Sequence, residues 1–171
     1  MIACGYEAVE YLPYKLVQLT STYAFASEPL PDKEIWFENC IFWDTGNPYL
    51  YGRTTKDNRI IFGGKDEMFY SPARRDELVP KKIGELTATF EHMFPEIPLR
   101  VDYSWAGTFI ETEDGLPYIG TIPEVPHTIF ALGYGGNGIT FSQIAAWMVT
   151  EELTGRKHPD AEIFGFERRQ Q

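Results

Sequence analysis

The segment Ala131 to Ser142, ALGYGGNGITFS, constrains this chain more than any other stretch. The run leading into it, HTIFALGY, is almost wholly apolar, as in a strand buried on both faces. Glycines at 133, 135, 136 and 138 follow at once. Behind them, Phe141 to about Thr154 reads as a helix with an apolar stripe of Ile144, Ala145, Met148, Val149 and Leu153, stopped by Gly155. Strand, glycine turn and helix in direct succession bring unpaired N–H groups and about half a positive charge to one point. The glycines are expected to take positive φ and let the backbone come close to a ligand. Two readings stay open from this segment: a seat for an anion or electron-rich carbonyl, and a tight junction whose glycines serve packing. Gly133, Gly135 and Gly138 satisfy G-x-G-x-x-G, but no second βαβ strand with a ribose-binding acid follows.

The chain ahead of this segment reads as strands and turns. KLVQLTSTYAFA, from Lys15 to Ala26, alternates apolar and polar residues and predicts a half-buried strand ended by Pro29 and Pro31. IWFENCIFWD, PYLYGRTT and RIIFGGKDE follow, separated by Thr45-Gly46-Asn47-Pro48 and Lys56-Asp57-Asn58, and predict an antiparallel meander. Tyr49, Tyr51 and Arg53 then share one strand face. Pro72 to about Met93 predicts a helix with Leu78, Ile83, Leu86, Phe90 and Met93 on its apolar side. Val101 to Glu111 predicts another strand, and Asp114-Gly115 a turn before LPYIG. Aromatic stripes in small sheets usually form core, yet tyrosine hydroxyls and a guanidinium on one face need partners that a carboxylate would provide. Glu111, Glu113 and Asp114 flank a turn and read as a solvated hairpin rather than an acid and base pair.

Composition narrows the function. The net charge of −10 excludes a polyanion-binding surface, because the 15 Lys and Arg are scattered rather than clustered. No apolar run approaches the roughly 18 to 20 residues of a membrane span. The three histidines stand alone, so no metal site is expected. Cys4 and Cys40 form neither a metal nor a redox spacing, and no signal-peptide pattern is present, which points to a reducing, cytoplasmic setting. The opening Met1 to Glu7 reads as a short strand running straight into glycine, as if the chain began in mid-fold.

Four motifs in order, ACGYEA, YLYGRTTKDNRIIFGG, WAGTFIETEDGLPYIG and FALGYGGNGITFS, resemble the FAD-dependent oxidoreductases that include glycine oxidase, D-amino-acid dehydrogenase and γ-glutamylputrescine oxidase. The resemblance covers nearly the whole chain. It implies an α+β fold: a mixed, mainly antiparallel sheet with helices forming a substrate domain, plus the closing strand and helix of a truncated FAD-binding domain. The implied division is 1–14 for the end of the FAD domain, 15–114 for the substrate domain, and 115–171 for the returning strand, turn, helix and tail.

The resemblance further implies non-covalent FAD, held by Gly107, Thr108, Gly135, Gly136, Asn137, Gly138, Ile139 and Thr140, and an amine or amino-acid substrate bound by Tyr49, Tyr51, Arg53 and Phe109. Phe109 stands where amino-acid-oxidising relatives carry a carboxylate-binding arginine, which favours an amine or a carboxylate held by Arg53. No general base is evident. The amino-terminal FAD-binding half is expected to be missing, leaving apolar edges that invite self-association and a chain that binds FAD weakly or not at all. The rival expectation is a non-catalytic small-molecule-binding domain or partner subunit of the same descent.

Overall fold

The computed structural model describes residues 1–31 and 35–170. The chain forms two compact units: Met1–Thr20 together with the chain from Phe109 onward, and Ser21–Thr108 between them.

The Ser21–Thr108 unit is built on an open sheet of five strands, β1 (Gln18–Ser27), β2 (Phe42–Trp43), β3 (Tyr51–Thr54), β4 (Ile60–Met68) and β5 (Val101–Glu111), in the order β2-β3-β4-β1-β5. The ends of β1 and β5 belong by chain connection to the other unit. β2 with β3 and β3 with β4 are antiparallel hairpin neighbours, as the turn signals require. The first turn is closed by Asp44 Oδ1, which accepts from Gly46 N at 3.0 Å and Leu50 N at 2.9 Å. One face of the sheet buries Tyr23, Phe25, Ile60 and Phe62 against Leu78, Leu86 and Phe90 of the helical segment. Phe25, Phe62 and Phe90 meet at centroid distances of 5.4 to 6.3 Å, tilted or edge-on, as aromatic quadrupoles prefer.

That helical segment is two helices, α1 (Pro72–Glu77) and α2 (Val79–Met93), rather than the single helix its periodicity predicts. The break falls at Leu78, because Pro80 lacks an N–H and suits only a first helical turn. α1 starts at Ser71, whose side chain accepts from Arg74 N at 3.2 Å. Lys82 pins α2 to β4: its ammonium lies 2.7 Å from Glu67, 2.9 Å from the Lys65 carbonyl, and 5.3 Å from the Tyr23 ring centroid.

Two other expected strands are shorter than their sequences suggest. In IWFENCIFWD only Phe42–Trp43 pairs, because Phe37–Asn39 turns as a 3-10 helix with Glu38 and Asn39 at positive φ. Tyr49 precedes β3 rather than lying in it.

In the first unit, β6 (Tyr118–Ile122) and β7 (Val125–Leu132) form an antiparallel hairpin. Alternation sends Tyr118, Ile122, Phe130 and Leu132 into one core with Ala8, Ile110 and Phe166. It sends Ile119 and Ala131 into another, with Ala145, Met148 and Val149 of α3 (Gly138–Leu153) and Phe164 of α4 (Ala161–Phe164). The inner part of β7 is thus covered on both sides, as its unbroken apolar run implies. The opening residues make one parallel bridge, Ile2 to Phe130, and then a 3-10 helix at Gly5–Tyr11, because Gly5 at φ +66° leaves extended geometry. Among the described residues no helix is long and apolar enough to cross a membrane.

The acidic hairpin turn is clamped rather than merely solvated. Arg168 reaches back to Asp114 at 2.7 Å, donates to the carbonyls of Leu116 and Pro117 at 2.6 and 2.9 Å, and stacks 3.6 Å from the Tyr118 ring centroid. Burial raises the Asp114 pKa, but Arg168 and the Leu116 N–H outweigh it and hold the carboxyl below its ordinary value. Glu111 accepts from the Thr20 hydroxyl at 2.5 Å.

Candidate functional site

In the first unit, the glycine-rich turn joins β7 to α3. Gly133 at φ +82° and Gly135 at φ +51° take the left-handed conformation that the turn demands, while Gly136 and Gly138 do not. A Cβ on Gly133 would lie 2.8 Å from the Thr112 methyl, so close packing also excludes a side chain there. A Cβ on Gly135 or Gly138 would meet nothing within 4 Å. At 135 glycine is therefore required by backbone conformation, and the space beside 135 and 138 is free. Asn137 occupies the N-cap of α3 without a side-chain hydrogen bond, and among the described residues no side chain caps the first-turn N–H groups of Gly138, Ile139 and Thr140. Ile139 is 91% exposed, and no acidic residue lies in the first turn. Tyr134, half-buried before the turn, has its hydroxyl pKa raised by burial.

These features suit the electron-rich edge of a planar ligand: backbone donors without a side-chain cap among the described residues, open space beside Gly135 and Gly138, and the positive end of a 16-residue helix. The arrangement can hold partial negative charge on a planar ligand. Among the described residues it contains no group placed to move a proton.

In the second unit, the sheet face turned away from α2 carries the other nominated residues. Gly52 sits beneath Phe42 on the buried face: a Cβ there would be 2.5 Å from Phe42 Cζ. Its neighbour Tyr51 therefore points to the opposite face. Tyr51 is the register partner of Gly63, and a Cβ on Gly63 would clash with the Tyr51 hydroxyl and lie 2.5 Å from its Cζ. The ring thus lies across β4, with the Thr22 side chain of β1 nearby. Thr22 in turn faces Gly107 of β5, whose Cβ would stand 3.5 Å from the Thr22 methyl. Tyr51, Gly63, Thr22 and Gly107 form one row across the sheet.

Tyr49 joins this row from outside the strand, its ring centroid 6.1 Å from that of Tyr51. Burial raises the Tyr51 pKa, with the nearby Thr22 hydroxyl opposing it and the charge of Asp66 adding to it. Arg53, two residues along β3 opposite Ile61, is exposed and forms no ion pair among the described residues. Thr108 faces the helix side instead, where Arg75 Nη1 donates to its hydroxyl at 3.0 Å. Phe109, in the first unit, is half-buried.

Thr22 was not nominated by the sequence, where it is one polar residue in an alternating strand. A cavity of about 530 Å³ lies elsewhere in the first unit, among β6, α3, α4 and the tail. None of the nominated residues lines it, and Lys157, His158 and Arg168 are set there against Glu152, Glu162 and Glu167. That mixture of charges selects no ligand class.

The fold is α+β, with a strand, glycine turn and helix in one unit and a five-stranded sheet in the other. The FAD dependent oxidoreductase family (DAO) matches residues 1–152, and the chain belongs to it. It is 30% identical over 115 residues to the γ-glutamylputrescine oxidoreductase of Escherichia coli (strain K12), covering 67% of this chain and 24% of that protein. With the glycine oxidase of Geobacillus kaustophilus (strain HTA426) it shares 30% over 128 residues, 71% of this chain and 29% of the relative. The L-proline dehydrogenase structure from P. horikoshii superposes with a TM-score of 0.74 at 21% identity, covering 97% of this chain and 46% of that one. The chain thus spans about a quarter of the curated relatives' length.

Proposed function

We propose that this chain is the carboxy-terminal portion of an FAD-dependent oxidoreductase that oxidises the C–N bond of an amine or amino acid to an imine. The uncapped, glycine-opened start of α3 carries this reading, supported by the family match over residues 1–152. Gly135, Gly136, Asn137, Gly138, Ile139 and Thr140 would hold the pyrimidine edge of non-covalent FAD; for Gly107 and Thr108 a cofactor role is implied by the resemblance of WAGTFIE alone. FAD supplies hydride acceptance, and the chain's own role is to bind, orient and stabilise charge. The helix start would favour negative charge at O2 through its N–H groups.

The Ser21–Thr108 unit serves as the substrate domain, with Tyr49, Tyr51 and Arg53 presented to the substrate, and the first unit belongs to the FAD domain. Phe109 cannot grip a carboxylate, so a substrate carboxylate would be taken by the free guanidinium of Arg53, and an amine without one would bind equally well.

The pyrophosphate-binding half is supplied by further chain or a partner subunit, which would cover the charge-free outer side of α3, where Ile139, Trp147 and Leu153 are exposed. Titrating the isolated chain with FAD and following flavin fluorescence tests the reading. Binding weaker than roughly 10 µM and no amine turnover are expected, since a few hydrogen bonds of about 0.5–1.5 kcal/mol each barely offset an association cost of at least about 4 kcal/mol. Tight, saturable binding would show the chain to be a complete flavoprotein.

A further inference from the structure

We propose that Arg168 is a positioning residue for the glycine-rich turn. By fastening the hairpin at Asp114, Leu116 and Pro117 it fixes the platform on which Gly133 and Gly135 rest, and so the direction in which the start of α3 presents its N–H groups. The proposal rests on the reading of that turn as the flavin seat.

The contacts that carry it run from the tail to the turn within the first unit. The Arg168 side chain is only 12% exposed and uses all of its nitrogens: Nε to Asp114 at 2.7 Å, Nη1 to the Pro117 carbonyl at 2.9 Å and Nη2 to the Leu116 carbonyl at 2.6 Å. A planar fork of donors can hold a carboxylate and two consecutive carbonyls at once, which a single ammonium cannot. The Leu116 carbonyl also accepts from the Thr112 hydroxyl at 2.9 Å, and Asp114 accepts from the Leu116 N–H at 3.0 Å. Residues 112–117 are thereby closed on themselves around the guanidinium.

The glycine segment lies on this closed turn. A Cβ on Gly133 would stand 2.8 Å from the Thr112 methyl and 3.8 Å from both Pro117 Cα and Tyr118 N, so the Gly133 backbone rests against those three residues. Gly135 N donates to the Ile110 carbonyl at 3.0 Å, and Tyr118 is the register partner of Leu132, the residue before Gly133. Gly133 and Gly135 are the turn residues at positive φ. Glycine imposes little conformational preference of its own, so the path of this backbone is set by what it lies on. Arg168 acts through the 112–117 turn and not on a ligand.

Amide hydrogen exchange in the chain separates this role from general support of the fold. Arg168→Ala is expected to speed exchange at the Gly135 N–H by at least about tenfold, while the Val149 amide within α3 changes less than about threefold. Arg168→Lys keeps the charge pair with Asp114 but cannot reach both carbonyls, and is expected to shift Gly135 in the same direction by less. It carries the test should alanine prevent folding. Equal acceleration at Gly135 and Val149, or none at Gly135, overturns the proposal and leaves the flavin reading standing.

The second measurement titrates FAD into the full-length protein freed of its flavin, following flavin fluorescence and absorbance. Arg168→Ala is expected to weaken FAD binding roughly three- to tenfold, about the effect of one hydrogen bond, and Arg168→Lys less. If Gly135 exchange responds to Arg168 while FAD affinity and the flavin spectrum do not, the clamp positions the turn but the turn is not the flavin seat, and it is that reading which falls.

Discussion

The two faces of the Ser21–Thr108 sheet use one device for opposite ends. On the α2 side Phe42, itself partly buried, covers Gly52 and packs against a cluster of phenyl rings. On the other side Tyr51 covers Gly63, and its ring brings a hydroxyl over the strand outside that cluster. Aromatic cover over a strand glycine recovers the packing that glycine forfeits. What differs is the polar tip. A ring surrounded by other rings holds the fold, whereas a phenol laid over a strand brings a polar group to that face.

The largest break in this comparison comes from the buried face. Phe62→Ala removes a ring that touches Phe25, Phe42 and Phe90 and is expected to cost about 3–5 kcal/mol by urea denaturation. If it costs no more than a surface substitution, that face is not the organising core. Gly52→Ala should cost less, about 1–3 kcal/mol, because Phe42 must leave a packed site to admit the methyl. Gly63→Ala should cost a similar amount, because its Cβ would meet the Tyr51 ring and, at 3.0 Å, the Tyr23 carbonyl, which cannot rotate away. A stability loss far below that of Gly52→Ala would show that Tyr51 swings clear of the strand.

The smallest effect is a titration. Burial, reinforced by Asp66, raises the Tyr51 pKa above that of a free phenol. The folded chain therefore holds this proton longer than the unfolded chain. That contribution is complete below the ordinary tyrosine range, near pH 10, and is lost as pH rises through the folded value. Tyr51→Phe should make the alkaline fall in stability shallower, with Tyr23, Tyr118 and Tyr134 still contributing. An unchanged alkaline limb would mean that Tyr51 is solvated like a free phenol.

Much of the fold was legible in local pattern. Period-2 alternation located β1 and β5, turn chemistry paired β3 with β4, and an unbroken apolar run ahead of glycines announced β7 and α3. The glycine turn was legible as a place where backbone conformation matters, because Gly135 needs its φ. Other features were hidden for physical reasons. Strand pattern alone gave too much strand around Phe37, where a 3-10 turn breaks the run, and too little warning of the break at Leu78, where the prolines override helical periodicity. Thr108 belongs to the right motif, yet its hydroxyl faces Arg75, because alternate residues of one strand face opposite sides.

What the sequence by itself determined is therefore whatever depends on neighbours along the chain: strand period, turn chemistry, the apolar stripe of α3 and the glycines ahead of it. The tertiary structure alone decided the pairings between distant residues. Gly63 is glycine because of Tyr51, Gly52 because of Phe42, and Asp114 is held by Arg168, 54 positions away. Such contacts form only when separate strands and the tail are brought side by side, and nothing in the local spacing of any one of these residues records its partner.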